Sequence, residues 1–147
     1  MANTPWLQSE GWEAISRPPA SLQEMAAESQ LHFELRFFTD ILRRYPDYVD
    51  VLRIMSQLLT QVGRYPEALE VDLRLVRLRP RDAVAHYNLA CTYARLNKTD
   101  AAIRALRRAI ELGYRDYRYI KQDRDLDSIR DDPRYRELMR QLESGNV

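Results

Sequence analysis

Apolar positions along this chain recur at steps of three and four, the spacing that gives an α-helix one buried stripe. Leu52, Met55, Leu58 and Leu59 mark a first such stripe. Ala68, Leu69, Val71, Leu75 and Val76 mark a second. Ala85, Leu89, Ala90 and Tyr93 mark a third, and Ala102, Ile103, Leu106, Ala109 and Ile110 a fourth. The residues between them are helix punctuation. Gly63 suits a stop that needs positive φ, and Asn97 stands at the corresponding place in the next pair. Pro66 is placed to open the second helix, where its missing N–H has no intrahelical partner. Thr99 or Asp100 is expected to cap the fourth. Upstream, Ser21-Leu-Gln-Glu24 reads as a capping box, so a helix should start near Ser21. It should run to Arg44, with a break near Ser29, and end at Pro46. Downstream, Asp132 should cap and Pro133 start a last helix carrying Tyr135, Leu138 and Leu142.

These helices repeat. Pro46 and Pro80 are 34 residues apart, and at the same step Ala68 becomes Ala102, Leu69 Ile103, Leu78 Leu112 and Asp82 Asp116. Leu42, Val76 and Ile110 continue the series. A 34-residue period of this composition predicts a helix-turn-helix repeat. The expected fold is all-α: a right-handed superhelical solenoid of antiparallel helix pairs, with two full repeats at 49–82 and 83–116. The organisation expected is an irregular arm over 1–20, one helical domain over 21–142, and a tail over 143–147 that frays. Two repeats leave both ends of the stack open, so 21–48 and 117–142 are expected to act as caps.

The repeats resemble the tetratricopeptide repeat family. The second carries the family's small and aromatic residues at Ala90, Tyr93, Ala102 and Ala109. The first carries Ser56, Ala68 and Pro80 but has Leu59 and Leu75 where an aromatic and an alanine are usual. Asp72 and Leu106 replace a family aromatic, and Tyr114 replaces a proline. Phe38, Ile41 and Pro46 look like the second half of a degenerate preceding repeat. The segment from Glu111 to Leu138 is similar to the closing segment of many bacterial repeat proteins.

Composition narrows the function classes. With 23 basic and 22 acidic residues the net charge is +1, which gives no strong pull toward nucleic acid or a membrane surface. The first 40 residues hold two basic and six acidic side chains, so the remainder is net basic. The single cysteine, Cys91, cannot form an internal disulfide, no run of 18 apolar residues exists, and a basic start with an apolar run is missing; the expected compartment is the cytoplasm. Asp123-x-Asp125-x-Asp127 has the opening of a calcium loop, but Ser128 and Arg134 stand where the loop needs glycine and glutamate. The three aspartates read as a capped turn. His32 and His86 lack metal-ligand spacing, and His86 reads as a packing residue. No nucleophile or phosphate-loop motif is present, so the expectation is a non-enzyme without cofactor or metal. The arginines of the second helices, such as Arg104 and Arg107, read as a solvated outer face.

The resemblance implies that the first helices line a concave groove that grips a peptide. By that correspondence the candidate residues are Arg53, Gln57, Gln61, Tyr87 and Asn88. Cys91 and Arg95 follow, then Arg118, Lys121 and Gln122 from the partial third repeat. The groove is expected to be polar to basic, suited to an acidic segment or a free C-terminal carboxylate. Part of the family clamps such a carboxylate, and of its clamp residues only Asn88 is identical here. The expected function is therefore a peptide- or protein-binding adaptor. The alternatives are a self-assembling homodimer and, more remotely, a nucleic-acid accessory protein. The acidic arm with Trp6 and Trp12 is a competing occupant of the groove.

Overall fold

A computed structural model describes residues 21–145, so the expected arm lies outside it. Among the described residues seven α-helices follow one another: α1 (Leu22–Arg44), α2 (Val49–Gln61), α3 (Tyr65–Leu78), α4 (Ala83–Arg95), α5 (Thr99–Glu111), α6 (Tyr117–Gln122) and α7 (Pro133–Ser144). A 3-10 segment, η1 (Arg124–Ile129), joins the last two. No strand occurs among the described residues.

From α1 to α5 each helix packs on its sequence neighbours, α1 on α2, α2 on α3, α3 on α4 and α4 on α5, which is the layout of a helical solenoid. The turn inside each pair is built identically. The N–H of Arg64 donates to the Leu59 carbonyl at 2.8 Å, and 34 residues on the N–H of Lys98 donates to the Tyr93 carbonyl at 2.9 Å. Both closures need a left-handed residue, supplied by Gly63 at φ 77° and Asn97 at φ 57°. Small residues then let the paired helices approach: Ala68, Ala90, Ala102 and Ala109 have no accessible surface. Two clusters form the core. Leu42, Leu52, Met55, Leu59, Val71 and Leu75 make one. Ile103, Leu106, Ile110, Ile120, Leu126 and Ile129 belong to the other. Val76 on α3 packs against both and joins them.

Local expectations differ from the structure in three places. α1 runs through Ser29 without a break. α5 begins at Thr99, because the Lys98 carbonyl already accepts from the Ala102 N–H at 2.9 Å. Thr99 and Asp100 therefore sit inside the first turn and do not cap it; Asp100 instead pairs with Arg134 of α7 at 2.8 Å. α7 extends to Ser144, past the expected start of fraying, and Gly145 closes it at φ 74°. Its start follows expectation, with the Asp132 carboxylate accepting from the Arg134 N–H at 2.8 Å.

Candidate functional site

A cleft of about 290 Å³ opens between α2 and α4, with α6 and the start of η1 at one end. Successive turns of α2 place Gln57 and Gln61 on one wall. Asn88 and Cys91 come from α4 in the same way, together with Tyr87. The other residues brought in are Ser56, Thr60, Thr92, Tyr119, Asp123 and Asp125.

Tyr87 and Cys91 form the floor of this cleft and are themselves buried. The Tyr87 hydroxyl donates to Asp123 Oδ2 at 2.6 Å, and the Cys91 thiol lies 3.7 Å from the same oxygen. The Tyr87 ring stacks flat on Tyr114 at 4.2 Å, and Tyr119 leans in at 6.0 Å. Burial pushes both the Tyr87 phenol and the Cys91 thiol up, and the neighbouring Asp123 carboxylate adds to each rise. The thiol thus stays protonated at neutral pH, the state in which it is a poor nucleophile. Asp123 also holds the next element in place, since its Oδ1 accepts from the Asp125 N–H at 3.0 Å and caps η1.

Several expected groove residues do other work. Arg53 of α2 pairs with Asp82, whose carboxylate also caps α4 by accepting from the Ala85 N–H at 3.1 Å. Burial opposes ionisation of Asp82, but the hydrogen bonds from Arg53 and Ala85 outweigh it and hold the carboxyl below its usual range. Arg95 donates to Asp125 at 2.8 Å, with its guanidinium 5.3 Å from the Tyr65 ring centre. The Asp125 hydrogen bond raises the Arg95 pKa further. Lys121 lies over the Tyr117 ring at 5.7 Å and lines a separate depression with Arg130 and Tyr135. Arg118 and Gln122 are exposed on α6, a helix of six residues, and do not line the cleft. Two of the expected basic residues are thus paired with internal carboxylates, and Asp123 and Asp125 line the cleft.

Beneath the cleft lies a group that the repeat pattern marks as unusual without explaining it. Asp72 of α3 replaces an aromatic and is completely buried. It accepts from the Ser56 hydroxyl of α2 and, at 2.6 Å, from the Thr92 hydroxyl of α4. Three helices meet on one carboxyl, and burial raises its pKa to about 6 despite both hydrogen bonds.

The aspartate run of η1 behaves as a capped turn. Asp125 holds Arg95, Asp127 holds Arg130 at 2.8 Å, and Arg130 also donates to the Lys121 carbonyl. Ligand atoms of Cys91, Asp123 and Asp125 lie within 4.8 Å of one another, drawn together by the hydrogen bonds just described. The His86 ring N–H donates to the Pro80 carbonyl at 2.9 Å, so this histidine ties α4 to the preceding turn. Ser56, Thr92, Tyr119, Asp123 and Asp125 are cleft residues that repeat register misses; of these, Ser56 and Thr92 are turned toward the buried Asp72. The signal available for Asp123 and Asp125 is the aspartate run itself, following an unusually short third first-helix.

The pair α4–α5 coincides with a recognised unit: residues 83–112 match the family model of the tetratricopeptide repeat. This segment is a tetratricopeptide repeat, and repeats of this class generally serve protein–protein interaction. The chain is also similar to a chloroplastic protein of Arabidopsis thaliana, at 36% identity over 88 residues. That match covers 58% of this chain and 26% of the relative, so the chain spans about a quarter of the relative it matches.

Proposed function

We propose that this chain is a non-catalytic binding module that holds an extended protein segment in the cleft between α2 and α4. The observation that carries the reading is the convergence of Gln57, Gln61 and Asn88, whose side-chain amides can each donate to and accept from a peptide backbone, above a rigid aromatic floor. Tyr119, half exposed at the end of the cleft, offers a face for an apolar or aromatic side chain. Arg53 and Arg95 are already paired with Asp82 and Asp125, so a ligand carboxylate would compete with these internal partners. Recognition therefore rests chiefly on backbone and uncharged polar groups.

No helix among the described residues is long and apolar enough to cross a membrane. The compartment we propose is the cytoplasm, against the chloroplast of the plant relative; fractionation of the native cell decides between them.

The test is a selection of peptides from a random display library with the full chain, followed by mapping of amide chemical shifts. Selected peptides should perturb residues around Gln57, Asn88 and Tyr119. Peptides that map to the arginine-rich outer helices, or a library that yields none, would remove the reading.

A further inference from the structure

The 34-residue step links α1 to α3 and α5 and exposes a missing partner. In this register Phe37 corresponds to Val71 and Ala105, Phe38 to Asp72 and Leu106, and Ile41 to Leu75 and Ala109. The six residues of α3 and α5 are all buried, because α2 covers α3 and α4 covers α5. Their α1 counterparts are not. Phe37 is 49% exposed where Val71 is 1% exposed, and Phe38 and Ile41 are only partly buried. Phe33 is 54% exposed one turn earlier, and its ring stacks on Phe37 at 5.9 Å. All three phenylalanines of the chain thus lie together on α1, on the face that a first helix would occupy. Half-open aromatic surface of this kind marks a covered face.

We propose that the covering element is residues 1–20 of the same chain, folded back along α1. Its apolar content fits: Trp6, Leu7, Trp12 and Ile15 fall within it. Its length fits as well. Phe37 and Ile41 lie 15 and 19 residues beyond Leu22, or roughly 22–28 Å along the helix axis at 1.5 Å per residue. Trp12 precedes Ser21 by nine residues, which spans up to about 30 Å when extended, and Trp6 reaches further. Tethering favours this occupant over a second copy, since a joined segment acts at a local concentration of about millimolar and loses less freedom on docking. The face is separate from the cleft between α2 and α4, so this proposal stands whatever the cleft binds.

Both tryptophans of the chain belong to this segment, so intrinsic tryptophan fluorescence reports on it alone. The experiment compares Trp emission and acrylamide quenching of the full chain, its urea-unfolded form and the Phe37→Glu variant, across a wide concentration range, with sedimentation at the same concentrations. Circular dichroism checks helix content, and Phe37→Ala replaces Phe37→Glu if the latter unfolds. The expected result is a blue-shifted, quencher-protected emission in the folded chain, independent of concentration and lost in the folded Phe37 variant. Emission matching the unfolded chain overturns the proposal. A shift that survives in the variant also overturns it and places the segment elsewhere, the cleft included. A shift that appears only with dimer formation overturns it in favour of a second copy.

Discussion

Asp72→Asn isolates the cost of placing a carboxyl where three helices meet. The group is fully buried, and its pKa stands at about 6 against the usual 3.8. A raised carboxyl pKa means that the folded chain holds a proton which the unfolded chain has released. Its contribution to stability is whole below the unfolded pKa and is lost as pH rises through the folded one. The difference of about two units corresponds to about 3 kcal/mol. Asparagine keeps the shape but cannot ionise. Its carbonyl can accept one of the Ser56 and Thr92 hydroxyls, and the other can rotate to accept from its amide. Urea unfolding of both proteins from about pH 4 to about pH 8 gives the assay. The stability of the wild type relative to Asp72→Asn should fall by about 2–2.5 kcal/mol across that window, since a part of the full difference is already lost at about pH 4, with the midpoint of the full change at about pH 5. Every other carboxyl is common to both proteins and cancels. A difference that stays flat with pH would refute the buried, proton-retaining carboxyl. A difference that rises with pH would show instead that the ionised form is the one the fold prefers.

Three further outcomes follow from packing and electrostatics. Ala102→Leu forces extra volume into the fully closed contact of α4 with α5 and should cost ~1–3 kcal/mol, read as a lowered Tm without loss of helix content at low temperature. Asn97→Gly relieves a left-handed residue at φ 57° and should raise stability by up to about 1 kcal/mol in urea titrations, whereas Asn97→Val should lower it. Asp125→Asn removes the ionised partner of Arg95, so peptides bearing carboxylates should bind the cleft more tightly at low salt, and unchanged affinity would place Arg95 outside the binding surface.

Much of the fold was legible because its signals are local. Gly63 and Asn97 have the left-handed turn conformation their residue types suggested, and Ala68 and Ala102 at the 34-residue step are fully buried. The cleft was legible only on its helical walls. Gln57, Gln61, Tyr87, Asn88 and Cys91 follow from register, since each lies on a regular helix. Asp123 and Asp125 do not, because they arrive through the abrupt end of α6 and the return of η1 against α4, a tertiary event with no periodic trace. The ion pairs that occupy Arg53 and Arg95 span 29 and 30 residues of sequence, so their neutralisation could not be seen in the spacing of charges. Asp72 was visible as an anomaly, an acid in an aromatic's place, but its hydroxyl partners lie on two other helices.

The most direct test of the binding cleft is the affinity of one library-selected peptide for the full chain and for the Gln57→Ala, Asn88→Ala double variant. Two amide contacts contribute about 0.5–1.5 kcal/mol each, so Kd should rise about tenfold or more while the unfolding curve stays in place. An unchanged Kd with an intact fold would contradict the account and move the binding surface away from the cleft between α2 and α4.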